Sequence, residues 1–207
     1  VTLRHEIPLV YDEVVTNFRL GLGGAMEYFG VKPDLVALGK ILGGGFPIGG
    51  YGGRQDIMEK VVTPKVGLWD LSEQIFQSGN FSGNPISMTA GLAVLTELEK
   101  GQVHPHINRL AEELQKGLSE IGQRLGVKLL VNRSTSIFEV HFGVERIRDK
   151  RDLLKADRVA ANTFHLGLRA NGIMASYHPL FISAAHTQND IQRFLDVSET
   201  VLKQMTK

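Results

Sequence analysis

A lysine, Lys40, closes the apolar run Leu35-Val36-Ala37-Leu38-Gly39 and opens the glycine-rich stretch Gly43-Gly44-Gly45-Phe46-Pro47-Ile48-Gly49-Gly50. An amine placed where a buried strand meets a flexible loop can be desolvated. Desolvation favours its neutral form, a nucleophile toward aldehydes. Upstream, a second apolar run, Ile7-Pro8-Leu9-Val10-Tyr11, ends in Asp12-Glu13. Two strand ends, one carrying an acid and the other an amine, predict a single site containing Asp12 and Lys40. Taken alone, a lysine beside a loop is a solvated surface residue, and an acid after a strand starts a turn. The pairing therefore rests on the elements around it.

The run 7–11 reads as a fully buried strand that needs neighbours on both sides. Few residues precede it and the chain opens on Val1 rather than Met, so the expectation is a fragment, or one piece of a cut protein. A turn-rich segment, 17–24, leads into a short helix over 25–29 stopped by Gly30. Lys32-Pro33-Asp34 restarts the chain as a strand through Leu38, 48–51 forms another strand, and 54–62 a helix ending before Pro64. Strands alternating with helices imply an α/β sheet. Residues 63–78 lack periodicity and predict a long excursion, after which Pro85 starts a helix over 86–100.

Glycine and proline interrupt two helical patterns at 101–106, which places a domain boundary there: 1–102 as part of a large domain, 103–207 as a small C-terminal one. Beyond it, Ile107, Leu110, Leu114, Leu118, Ile121 and Leu125 recur at helical spacing and predict an amphipathic helix covering a sheet. Its partner strands fall at 127–131 and 136–142. A further helix spans 157–170, stopped by Asn171-Gly172, and Thr187 with Asp190 resembles a capping box opening a last helix to about 204. The second half reads as α+β.

Composition narrows the function classes. In 207 residues, 43% are hydrophobic, enough for a real core. Twenty-three basic and 22 acidic residues leave a net charge of +1, with no basic block, so the footprint of a nucleic-acid binder is missing. With no cysteine, the chain has no disulfide, thiolate metal site or Cys nucleophile, which fits a reducing compartment. No apolar stretch approaches the ~18 residues of a membrane span, and Val1 to Glu6 lacks signal-peptide design. A soluble cytoplasmic protein without a membrane or nucleic-acid partner is the expectation.

Glycine-rich loops invite a nucleotide reading, which spacing excludes. A Walker pattern around Lys40 needs Gly at 34 and Ser or Thr at 41, where the chain has Asp34 and Ile41. In a G-x-G-x-x-G pattern, Gly43 and Gly45 would be followed by a glycine where Ile48 stands. G-x-S-x-G and H-E-x-x-H do not occur. His104-Pro105-His106 has no further ligands nearby and reads as a helix start, so no metal site is expected.

Four segments carry a more specific match: Asp12-Glu13-Val14-Val15-Thr16-Asn17-Phe18-Arg19; Tyr28-Phe29-Gly30-Val31-Lys32-Pro33-Asp34-Leu35; Leu38-Gly39-Lys40-Ile41-Leu42 running into Gly43 to Gly49; and Ser78-Gly79-Asn80-Phe81-Ser82-Gly83-Asn84-Pro85. In this order they closely resemble class III pyridoxal-phosphate aminotransferases, nearest to the glutamate-1-semialdehyde 2,1-aminomutase branch. The first hundred residues carry almost all of the resemblance. It implies the PLP-transferase fold type I: the second part of the large, mostly parallel-sheet domain followed by a small α+β domain, in a homodimer with shared active sites. Lys40 resembles the lysine that holds pyridoxal 5′-phosphate as an internal aldimine and then moves a proton between substrate and cofactor. Asp12 resembles the carboxylate that pairs with the pyridine nitrogen, and Val14 the apolar residue against one ring face. Glu13 reads as structural.

Two positions depart from the pattern. Asn80 stands where relatives have a Thr that reaches the cofactor phosphate of the neighbouring subunit; the amide and the backbone N–H groups of Gly79 and Asn80 still offer donors. Asn17 stands where relatives commonly have Gly, and asparagine tolerates a left-handed turn. The family's chains run to about twice this length, so a missing N-terminal segment or companion chain is expected to supply the rest of the pocket. The resulting expectation is transamination or aminomutation of a small amino acid or amino aldehyde such as glutamate-1-semialdehyde. The alternatives are a β-amino-acid transaminase, since 164–179 does not reproduce the aminomutase end, or a non-catalytic fragment. Arg19, Arg54, Arg133 and Arg169 are the candidates for holding a substrate carboxylate.

Overall fold

Short apolar runs separated by glycine-rich turns fold into the first sheet. A computed structural model describes residues 1–61, 75, 79–175 and 179–206. By its internal contacts the chain divides into two units, Val1–Gly101 and Gln102–Lys207.

In the first unit, β1 (Val10–Asp12), β2 (Leu35–Gly39) and β3 (Gly49–Gly53) stand in that order. Strands β1 and β2 are parallel, with Val10 opposite Leu35 and Asp12 opposite Ala37; β2 and β3 are antiparallel, with Gly39 opposite Gly49. A parallel pair needs a crossover, and residues 13–34 supply it with α1 (Gly24–Phe29), which Gly30 ends in the left-handed region at φ 64°. After β3 come α2 (Gln55–Met58) and α3 (Pro85–Glu99). The helix expected over 54–62 stops at Met58; residue 62 and nearly all of the excursion 63–78 lie outside the described residues. Helix α3 starts as its sequence requires: Pro85 occupies the first turn and the Asn84 side chain accepts from the N–H groups of Ile86 and Ser87.

The run 7–11 is not the fully buried strand that its apolarity predicts. Ile7 and Val10 are 56% and 57% exposed, because β1 has a hydrogen-bonded neighbour on one side only among the described residues. Among the described apolar side chains of this unit, Ala25, Pro33 and Leu98 alone are buried.

The second unit holds the main core. Helix α4 (Val103–Leu125) precedes the hairpin β4 (Leu129–Ser134) and β5 (Ile137–Phe142); then come α5 (Lys150–Leu153), α6 (Arg158–Ala170), β6 (Leu180–Phe181) and α7 (Gln188–Met205). The sheet order is β4-β5-β6, antiparallel throughout. Leu110, Leu114 and Leu118 of α4 pack with Phe138, Val140 and Phe142 of β5, with Phe164 and Leu168 of α6, and with Val201 and Leu202 of α7. Helix α4 begins at Val103, ahead of its first periodic apolar residue, because Pro105 falls in the first turn, where its missing N–H costs nothing. Strand β4 starts at Leu129 rather than 127, since the Val127 N–H is spent on the Gly122 carbonyl at the end of α4. The Thr187–Asp190 capping box forms in full at the start of α7.

Helices α4 and α7 are also tied electrostatically. The two terminal guanidinium nitrogens of Arg124 reach the Glu199 carboxylate at 2.8 and 2.9 Å, and Lys203, on α7 itself, adds a third contact at 2.6 Å. These donors, Arg124 first, hold the Glu199 carboxyl down at about 2. A carboxyl depressed in the folded state contributes stability that is present above its unfolded pKa and lost as pH falls toward the folded one. Glu199→Gln is therefore expected to flatten the acid limb of a Tm-against-pH curve between the ordinary carboxylate range and about pH 2, leaving the neutral limb parallel to that of the unsubstituted protein.

Candidate functional site

Because β1 and β2 run parallel, their C-terminal ends lie side by side, and that edge of an α/β sheet is where ligands are held. Asp12 is the last residue of β1, and Lys40 follows directly on β2. Gly39 is extended at φ −178°; Lys40 then turns into the left-handed region at φ 48° and opens a 3₁₀ turn, Lys40–Gly43. A side chain in that conformation costs about 1–2 kcal/mol, which the surrounding pairing must offset.

Lys40 is exposed, not desolvated as the flanking sequence predicts. Its side chain makes no hydrogen bond or ion pair among the described residues. Asp12 is also exposed, and its Oδ1 accepts the Val14 N–H at 3.0 Å, which turns the chain as it leaves β1. Val14 is half-buried beside the end of β2: a Cβ added to Gly39 would meet its Cγ1 at 3.4 Å. Asp12, Val14 and Lys40 thus share one edge.

Gly79 and Asn80 sit in the exposed turn before α3, and Ser78 lies outside the described residues. No hydrogen bond joins Gly79 or Asn80 to Asp12, Val14 or Lys40. Helix α3 itself is pressed onto the loop after Lys40. A side chain at Gly91 would collide with the Leu42 carbonyl, one at Gly44 would stand 2.7 Å from the Ala90 carbonyl, and Ser87 Oγ donates to the Pro47 carbonyl at 2.8 Å.

Behind this edge lies a buried polar cluster. The Glu13 carboxylate, 1% exposed, accepts from the N–H groups of Ala25 (2.7 Å) and Met26 (2.9 Å) and from Thr16 Oγ1 (3.0 Å). It therefore caps the start of α1 from the far side of the crossover, where a negative charge also suits the helix dipole. Asn17, 3% exposed, donates its Nδ2 to the Glu13 carbonyl and to the Gly39 carbonyl at 3.4 Å. The left-handed residue of this turn is Phe18, at φ 55°, rather than Asn17. The side-chain role of Asn17 left one trace in the sequence, an amide where a glycine would satisfy the turn.

Of the four arginines considered for a substrate carboxylate, Arg54 bridges Asp34 and Asp56 at 2.8 and 2.6 Å, which raises its pKa and depresses that of Asp56, while Asp34 is held down first by the Leu9 N–H and then by Arg54. Arg133 is held by Gln115 and the Thr135 carbonyl, and Arg169 by the Ala175 carbonyl. Arg19 is half-buried, and burial lowers its pKa.

Residues 1–197 match the family of class-III aminotransferases. The chain belongs to that family. It is 41% identical over 201 residues to a glutamate-1-semialdehyde 2,1-aminomutase of Methanopyrus kandleri, covering 96% of this chain and 45% of that protein. Among solved structures it is similar to a β-phenylalanine aminotransferase from Variovorax paradoxus (TM-score 0.84, 28% identity, 98% of this chain and 46% of that one). It is also similar to a transaminase with PLP bound (TM-score 0.82, 26% identity, 99% and 46%). This class-III chain thus spans about half the length of the curated relatives it matches, and over that half it has the fold type I architecture. No helix among its described residues is long and apolar enough to cross a membrane, and no cluster of metal-ligating side chains occurs among them.

Glu13 generates a prediction that separates fold from chemistry in this class-III chain. Glu13→Ala strands two buried N–H donors of α1 and is expected to lower the unfolding free energy by about 2 kcal/mol or more. Urea denaturation followed by circular dichroism checks it.

Proposed function

We propose that this chain carries the lysine-bearing half of a pyridoxal 5′-phosphate site, in an enzyme that moves amino groups on small amino acids or amino aldehydes such as glutamate-1-semialdehyde. The observation behind the reading is the juxtaposition of an unpaired amine and an exposed carboxylate at the ends of two paired parallel strands, Lys40 after β2 and Asp12 closing β1. The donor set fits the cofactor: a primary amine for its aldehyde, an anion for its ring nitrogen, an apolar side chain for its ring, and an open glycine loop for close approach of backbone.

Each residue has a stated task. Lys40 Nζ holds the cofactor through its aldehyde carbon and, when free, takes the proton from the substrate carbon and returns it. Asp12 accepts a hydrogen bond from the pyridine nitrogen and keeps it protonated, a charge-assisted contact of about 1.5–3 kcal/mol. Val14 packs against one ring face. Gly79 and Asn80 offer backbone and amide N–H groups to the cofactor phosphate of the neighbouring subunit in a homodimer, a role that needs no hydrogen bond to Lys40 within one chain. When bound, pyridoxal phosphate supplies the electron sink that accepts the pair left by the departing substrate proton. We place the assembled enzyme in the cytoplasm.

The relatives named as aminomutases favour the semialdehyde as substrate. The similarity to a β-phenylalanine aminotransferase supports a second reading, transamination of a β-amino acid. Turnover of glutamate-1-semialdehyde without any added amino acceptor is expected on the first; a requirement for a β-amino acid together with a 2-oxo acid would favour the second. In either case borohydride reduction of the complete gene product with pyridoxal 5′-phosphate is expected to add the cofactor's mass to the peptide containing Lys40. Lys40→Ala should abolish that label and lower kcat by about 10²-fold or more. Asp12→Asn should keep the label and weaken cofactor retention about ten- to a hundredfold. Labelling of a different lysine, with Lys40 unmodified, would overturn the assignment.

A further inference from the structure

The buried amide of Asn17 is the strongest feature that the preceding assignments leave unused. Its Nδ2 faces two carbonyl oxygens, those of Glu13 and Gly39, while its Oδ1 is buried with no hydrogen-bond partner among the described residues. The orientation follows from chemistry, since a flipped amide would set its oxygen against both carbonyls. An asparagine that leaves one end unsatisfied adds little to stability, because an unpaired buried acceptor offsets what a hydrogen bond contributes. What it does is geometric. The Gly39 carbonyl belongs to the rigid peptide plane that ends at the nitrogen of Lys40, and the Glu13 carbonyl to the plane that ends at the nitrogen of Val14.

We infer that Asn17 is a positioning residue: it staples the peptide plane before Lys40 to the one before Val14, and so sets the direction in which the amine leaves the end of β2. Lys40 needs such a restraint, since its φ of 48° is one that an unrestrained lysine leaves. On the β1 side the staple is anchored, because the Glu13 N–H donates to the Ala37 carbonyl at 2.9 Å and the Asn17 N–H returns to the Glu13 carbonyl at 2.9 Å. The inference rests on the reading of Lys40 as the cofactor lysine.

The test uses the complete gene product, stripped of cofactor and mixed with pyridoxal 5′-phosphate, with borohydride quenching and peptide mass spectrometry timing the capture on Lys40. Asn17→Ala removes the donor, and Asn17→Asp keeps the shape without it. Both are expected to slow capture about 3- to 10-fold and to move the pH midpoint of the bound cofactor's visible absorbance. Thr187→Ala, which removes the α7 cap in the other unit, should lower Tm and move neither. Unchanged capture and midpoint in folded Asn17→Ala would overturn the inference and leave the role of Lys40 standing; no capture on Lys40 in the unsubstituted protein would overturn both. If both Asn17 variants fail to fold, the residue serves the fold alone, and the inference is overturned as well.

Discussion

The parallel pairing of β1 with β2 constrains everything around the site. Parallel strands cannot be joined by a tight turn, so the chain must leave the sheet after Asp12, cross over and re-enter at Leu35. Residues 13–34 make that excursion with a six-residue helix, α1, too short to hold itself together. Its first N–H groups are satisfied from outside by Glu13, the residue next to the site acid. Adjacent residues of an extended chain point to opposite sides. Asp12 therefore faces outward while Glu13 is buried under the crossover, and two neighbouring carboxylates receive unlike tasks.

Backbone proximity is the second device. Helix α3 and the loop after Lys40 approach so closely that side chains at Gly91 and Gly44 would collide with the main chain opposite. The glycine-rich stretch thus does more than leave room for a ligand, because it lets a helix brace the turn that follows the lysine. The two units contrast in what sustains them. Residues 102–207 enclose an apolar core built on α4, β5, α6 and α7. The described part of residues 1–101 buries little apolar surface, and Phe29, Phe81 and Leu92 are 64%, 67% and 68% exposed. Their order comes from strand pairing, capping and close backbone approach.

Periodicity, glycine stops and capping signals were legible in the sequence, because they act over a few residues. Helix α6 with Asp157 at its N-cap, α7 with its capping box, and α3 with Pro85 in the first turn all follow from such local signals. The four motifs likewise carried the family. Effects set by distant partners were not legible. The exposure of Ile7 depends on which strand edges are paired, the occupation of Arg54 on the placement of Asp34, and the amide of Asn17 on Gly39, which reaches it only through the sheet. Asn17 and Phe18 show the difference most clearly. Residue statistics assign the left-handed conformation to the asparagine, yet its side chain is engaged by two carbonyls and the next residue takes the turn.

Asp12 and Lys40 share an edge yet form no ion pair, and that separation has a chemical consequence. An amine held against a carboxylate would have to break that ion pair before it could reach a carbonyl carbon. Here the Asp12 carboxylate is turned toward its own chain, with Oδ1 accepting from the Val14 N–H, and Lys40 leaves β2 in the left-handed region at φ 48°. The sheet sets acid and amine at the ends of two adjacent strands, and the two form no ion pair with each other. An aldehyde-bearing aromatic ring with a basic nitrogen is the ligand proposed for this divided pair, its nitrogen toward Asp12 and its carbonyl toward Lys40. The local geometry that leaves Lys40 without a partner among the described residues is therefore the geometry that its proposed covalent role requires.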